Sequence, residues 1–187
     1  MRIESQAIPD VLAITPKRIG DARGYFSEVF RRDVFASHCP GLDFVQDNQS
    51  LSAQAGTIRG LHFQTPPFAQ DKLIGVLAGA ILDVAVDIRR GSPSYGRHVA
   101  LRLDAANGTQ LLIPAGFAHG FATLEPGTLV HYKVSAYYNA ACDKGLAFDD
   151  PALGIAWPVT ADKAVLSAKD RLHPKLADLP AYFTFAA

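Results

Sequence analysis

The clearest pattern of apolar and polar positions runs from residue 73 to residue 134, where short apolar-rich runs alternate with turn clusters. LDVAVDI (82–88) alternates with a period of two: Leu82, Val84, Val86 and Ile88 fall on one face, Asp83, Ala85 and Asp87 on the other. HVALRL (98–103), QLLIP (110–114) and TLVHYKV (128–134) follow as further strands, separated by the turn formers RRGSPSYG, DAANG and LEPG. Strands this short and closely spaced, with no long amphipathic helix between them, predict an all-β antiparallel sandwich or barrel. Toward the C-terminus the pattern is mixed, with a short helix expected around Asp162 to Ala164. No linker, repeat or low-complexity stretch divides the chain, so residues 1–187 read as one domain.

Composition narrows the function classes. Eighteen basic residues balance 18 acidic ones, which argues against a nucleic-acid surface and leaves any anionic ligand to a few well-placed cations. No apolar run approaches the roughly 18 residues of a membrane span, and the polar start MRIESQAIPD lacks a secretory signal, so a soluble cytoplasmic protein is expected. Cys39 and Cys142 lack both a disulfide framework and metal-ligand spacing, and read as reduced thiols.

Chemistry enters with IPAGFAHGF (113–121). Pro114, Gly116 and His119 match the P-x-G-x-x-H core of the second cupin motif, the signature of small jelly-roll barrels. A metal-binding cupin adds an earlier H-x-H pair and a glutamate. Here the corresponding stretch is GLHFQ (60–64), with Gln64 in place of the second histidine, and no glutamate follows at the usual distance. Zinc or iron needs three or four converging N, O or S donors, and only two histidines can be assembled, so no metal and no cofactor are expected. Two histidines in a barrel without a metal suggest acid–base chemistry.

Nine blocks resemble the dTDP-4-dehydrorhamnose 3,5-epimerase family, in the family's order and spacing. They are DARGYFSEVF (21–30), FVQDNQS (44–50), TIRGLHFQ (57–64), QDKL (70–73), DVAVDIRRGSPSYG (83–96), IPAGFAHGF, HYKVSAYY (131–138), DDPALGIAWP (149–158) and LSAKD (166–170). The resemblance implies a cupin-like double-stranded β-helix jelly roll with short flanking helices. It also implies an isomerase acting on a nucleotide-diphosphate 4-keto-6-deoxy sugar in dTDP-rhamnose biosynthesis for cell-surface polysaccharide. In that reaction the C4 ketone acidifies the hydrogens at C3 and C5. A base removes each, an acid returns one from the opposite face, and a cation steadies the enolate between them.

By the same resemblance, His62 is the base, and an imidazole with an ordinary pKa near ~6.5 suits proton abstraction around neutrality. Asp170 is the carboxylate that orients it, Tyr132 the acid on the opposite face, and Lys72 the enolate-stabilising cation. Arg23 and Arg59 match positions that hold the diphosphate, where guanidinium forks suit phosphate oxygens. Phe26, Glu28, Gln46, Asn48, His119, Asp143 and Lys169 match others around the nucleotide and sugar, and Tyr138 matches an aromatic that stacks on the base. Asp83 keeps a place beside the site, while His38, His98, His131 and His173 read as structural or surface residues. In a regular strand Arg59 and His62 would face opposite sides; a bulge at Gly60 would reconcile them.

Three departures from the family pattern are expected to cluster near the nucleotide and the cap. They are Gly75 in place of a larger residue, Phe148 in place of tryptophan, and Asp143 in place of glutamate. Asp143 is one methylene shorter, which would lose or water-bridge its nucleotide contact. Family members pair as homodimers, with an N-terminal segment crossing to the partner barrel. A single-centre 3- or 5-epimerase and a non-catalytic sugar-nucleotide binding cupin are the competing readings, and a metal-dependent cupin oxygenase lacks its ligands.

Overall fold

The alternation in LDVAVDI builds a strand, Ala80–Asp87, that is paired on both edges and buried on both faces. In the computed structural model, which describes residues 1–185, it is β8 of two facing antiparallel sheets. The first sheet runs β1 (Arg2–Ser5), β2 (Leu12–Thr15), β11 (Gln110–Ile113), β7 (Lys72–Ala78), β13 (Thr128–Val134), β5 (Gln46–Ser52). The second runs β10 (His98–Asp104), β8, β12 (Phe117–Thr123), β6 (Ile58–Gln64), β14 (Asp143–Gly145). A separate hairpin, β3 (Arg18–Asp21) with β4 (Gly24–Ser27), and a short pair, β9 (Arg89–Arg90) with β15 (Phe183–Thr184), complete the strands. This is the expected jelly roll. The single helix α1 (Arg32–His38) lays Phe35 against the outside of the first sheet, beside Leu73 and Leu112. No helix among the described residues is long and apolar enough to cross a membrane.

The fully apolar face of β8 does not point between the sheets. Val84, Val86 and Ile88 pack outward under the C-terminal segment, with Leu61, Leu146, Leu153 and Leu179. The inward face carries Ile81, Asp83 and Ala85; Ile81 and Ala85 join Val76, Leu103, Leu111, Phe121 and Val130 in the core between the sheets. A C-terminal layer of 3₁₀ turns and loops therefore covers one sheet and frees the other face of β8 to hold polar groups. The expected helix at Asp162–Ala164 is instead a single turn closed by the Thr160 carbonyl. It stops there because Val165 is drawn into a bridge: its N–H donates to Gly56 O at 3.0 Å and its carbonyl accepts from Ile58 N at 3.0 Å.

The bulge at Gly60 is present. On the β6–β12 ladder His62 pairs with His119 and Arg59 pairs with Phe121, so Gly60 and Leu61 together oppose Gly120 alone. Gly60 has φ +118°, and a Cβ there would lie 2.6 Å from Gly120 Cα and 2.7 Å from His119 O. Only glycine fits. The extra residue returns Arg59 and His62 to one face, the one that looks between the sheets.

Candidate active site

Between the sheets lies a cavity of ≈ 250 Å³ lined by Arg59, His62, Lys72, His119, Tyr132 and Asp170, among others. A second lobe of ≈ 210 Å³ shares His62, Lys72, Tyr132 and Lys169 with it and adds Gln46, Asn48, Tyr138 and Asp143. The two sheets contribute opposite walls. His62 on β6 and His119 on β12 come from one; Tyr132 on β13, Lys72 on β7, and Gln46 and Asn48 on β5 come from the other.

His62 Nε2 lies 2.6 Å from Asp170 Oδ1. Asp170 is only 4% exposed, at the start of a 3₁₀ turn, and its own N–H donates to Ser167 Oγ at 3.1 Å. Burial works against its charge, but hydrogen bonding to His62, Ser167 and the Gly60 backbone overcomes this and holds the carboxyl below the usual carboxylate range. A buried anion on Nε2 fixes the tautomer with the proton there and leaves Nδ1 to accept. Tyr132 is half-buried, and burial raises its phenol above the ordinary value despite the opposing pull of Arg59. It therefore stays protonated, as the acid role expected of it requires.

Lys72 is buried, and its Nζ donates to the His62 carbonyl at 3.2 Å. Burial lowers its pKa to about 8, against the attraction of Asp143 and Asp83. The enolate-stabilising role expected of Lys72 requires its cation, so activity is expected to fall as pH rises through about 8. The kcat/KM profile reports the free enzyme. Lys72→Arg, which stays charged, should lose that alkaline limb; a limb near pH 8 that persists in the arginine variant would assign it elsewhere.

His119 Nε2 lies 2.7 Å from Asp83 Oδ1, and Asp83 is fully buried. Asp83 thus belongs to the site through His119. Asp87, on the same strand face, does not: it holds Arg89, Ser92 and Ser94 at the far end. Arg59 donates to Ser52 Oγ at 3.1 Å and to Leu51 O at 3.0 Å, which aims the guanidinium along the cavity wall. Gln64 spends its amide on the backbone: it donates to Phe68 O and Tyr137 O and accepts from Asn139 N. It works as a staple where a metal cupin has a ligand. His62, Asp170 and His173 bring donor atoms within 4.8 Å of one another, but seating an ion there would break the 2.6 Å His62–Asp170 bond.

At the second lobe, Gln46 Nε2 donates to Asn48 Oδ1 at 2.8 Å and Gln46 Oε1 accepts from Tyr138 N at 3.1 Å. Tyr138 is 61% exposed, leaving its ring face open for stacking. Asp143 pairs with Lys169 and accepts from Tyr138 Oη at 3.3 Å, so the shortened carboxylate stays in the lobe. The other two departures lie elsewhere. Gly75 faces Gln110 on the outside of the first sheet, and Phe148 packs with Trp157 and Ile58 beneath the C-terminal layer.

Three of the expected binding residues stand apart from both lobes. Arg23, Phe26 and Glu28 lie on or just after the β3–β4 hairpin; Arg23 is tied to Asp21 at 2.6 Å with its side chain 90% exposed, and Glu28 lies 3.7 Å from Arg31. Phe26 is 66% exposed, with Ile19 and Tyr25 equally bare nearby. Sequence reasoning missed Ser50, Phe121 and Ser167 on the cavity wall. Ser50 was findable, because it follows Gln46 and Asn48 at strand period on one face. His173, read as structural or surface, is buried beside His62.

Known proteins resemble this chain along nearly its whole length. Residues 5–178 match the family model described as dTDP-4-dehydrorhamnose 3,5-epimerase. A dTDP-4-dehydrorhamnose 3,5-epimerase of Sinorhizobium fredii is 53% identical over 185 residues, 99% of this chain and 94% of that one. The crystal structure of such an epimerase from Bacillus anthracis, with TDP and PPi bound, superposes with TM-score 0.89 at 48% identity, covering 93% of this chain and 98% of that one. A dTDP-6-deoxy-D-glucose-3,5-epimerase from Legionella pneumophila, in complex with dTDP-4-keto-L-rhamnose, gives TM-score 0.94 at 39% identity, covering 100% and 99%.

Proposed function

We propose, from the premise that this chain belongs to the dTDP-4-dehydrorhamnose 3,5-epimerase family, that it inverts C3 and C5 of a dTDP-linked 4-keto-6-deoxyhexose by proton transfer. It is an isomerase. The observation that carries the mechanism is the placement of His62, backed by the Asp170 carboxylate, on one wall of the cavity and a protonated Tyr132 on the other. Neutral His62 takes the proton next to the carbonyl through Nδ1, and Asp170 stabilises the imidazolium that results. Electron density moves onto the C4 oxygen, where the Lys72 cation opposes the developing charge. Tyr132 then delivers a proton to the same carbon from the other face. Arg59 serves the diphosphate, Tyr138 the base, and Gln46, Asn48, His119, Asp143 and Lys169 the nucleotide and sugar between them. The test is turnover of dTDP-4-dehydro-6-deoxyglucose with and without a chelator: product inverted at both carbons is expected in each case. Turnover that stops with chelator and returns with zinc or iron would put a metal in the mechanism.

Homodimerisation and a cytoplasmic setting complete the proposal. The exposed apolar hairpin bearing Arg23 and Phe26 lines neither lobe of the cavity described above, which supports a role over a partner's cavity. Mixing inactive Arg23→Ala and inactive His62→Ala chains should then recover activity. One site of each mixed dimer joins an intact barrel to an intact hairpin. No recovery on mixing, with subunit exchange verified, would place Arg23 in its own chain's chemistry.

A further inference from the structure

His173 is the one histidine near the cavity with no part in the scheme above. It lies in the C-terminal segment just after the 3₁₀ turn that begins with Asp170. Its Nε2 sits 3.5 Å from Asp170 Oδ1, the oxygen that His62 holds at 2.6 Å. Its ring stands edge-on to the His62 ring, with centroids 5.5 Å apart and planes at 84°. The same Nε2 is buried and has no hydrogen-bond partner among the described residues. The strand beneath is cut to fit it. Gly145 pairs with His62 across β14 and β6, and a Cβ at Gly145 would run into the His173 imidazole.

We propose that His173 is a positioning residue whose Nε2–H faces the Asp170 carboxylate and whose ring, seated on Gly145, fixes the His62–Asp170 pair for proton abstraction. This rests on the reading of His62 as base. The chemistry favours an imidazole at this place. An anion beside Nε2 selects the tautomer with its proton there, giving Asp170 Oδ1 a second N–H. The ring must supply that donor without adding a charge, because a cation would repel the imidazolium that His62 becomes. Burial first, and the His62 charge second, lower the pKa of His173, which keeps it neutral. The proton taken from the sugar therefore stays on His62. The edge-on contact also blocks rotation of the His62 ring away from the cavity.

Three measurements test this. ¹⁵N NMR of the intact protein should show His173 as the Nε2–H tautomer, and an Nδ1–H tautomer would overturn the proposal without any mutant. His173→Phe keeps a ring over Gly145 but removes the donor, and should lower kcat about 10-fold with KM nearly unchanged. His173→Gln restores an N–H at the ε position and should recover much of that loss. Unchanged kcat in the phenylalanine variant, or equal losses in both variants, would make His173 mere packing. If His173→Phe does not fold, the tautomer and the glutamine variant's kcat decide, near-normal kcat being expected and a full 10-fold loss contradicting it. His62→Ala separates the underlying reading: solvent exchange that survives without His62 removes the base itself, whereas a dead His62→Ala beside an unaffected His173→Phe sinks only this inference.

Discussion

His62→Ala should abolish deuterium exchange at both C3 and C5 of the 4-keto sugar, with kcat down about 10³-fold or more, the upper part of the range for loss of a general acid or base. The size follows from the surroundings. The other basic groups closest to His62 in the cavity are committed: His119, on the same wall, is bonded to fully buried Asp83, and Lys72, on the opposite wall, acts as a cation. Substrate affinity should change little, because His62 gives its Nε2 to Asp170 and offers the substrate only one ring nitrogen. Asp170→Asn keeps the shape but replaces an anion with an amide that can donate to Nε2. The proton would then shift to Nδ1, the atom that must accept, and the imidazolium would lose its counter-charge; a fall of about 10²- to 10⁴-fold is expected with folding intact. Near-normal exchange in His62→Ala would show that another residue is the base.

Tyr132→Phe should separate abstraction from inversion. Phenylalanine keeps the ring packed against the core and removes only the hydroxyl on that wall. His62 can still remove a proton and return a deuteron to the same face, so label enters from D₂O while configuration changes slowly. Water can replace the phenol weakly, so inversion is expected to fall by about 10²-fold while exchange falls much less. Equal losses of exchange and inversion would make Tyr132 a binding or enolate-stabilising residue. Normal inversion at both centres would remove it as the acid.

The parts legible in the sequence were those whose signal is local. β13 coincides with TLVHYKV, because its inward and outward residues differ in polarity and turn formers bound it. β5 gave no such signal: QDNQSLS is polar on both faces, since one lines the cavity and the other is the solvent side of an edge strand. α1 is only seven residues long and holds its place through Phe35 packing against Phe30 and Phe44, a tertiary effect that periodicity does not report. The bulge at Gly60 was readable as a conflict, because Arg59 and His62 needed one face and ordinary pleating gave them two. Which side of β8 is the inside was not readable. Its apolar face meets a C-terminal layer that has almost no regular structure, so the polar face is left to the site. The place of His173 beside His62 was not readable for the same reason: its neighbours Gly145, His62 and Asp170 lie far from it in sequence or act on it only once that layer folds back.

The most direct test of two-faced proton transfer is to incubate the intact protein with dTDP-4-dehydro-6-deoxyglucose in D₂O and follow the sugar by NMR. Base and acid facing each other across the cavity predict product inverted at C3 and C5, with solvent deuterium at both carbons. Inverted product that retains its original hydrogen at either carbon, or no inversion despite binding, would contradict the account.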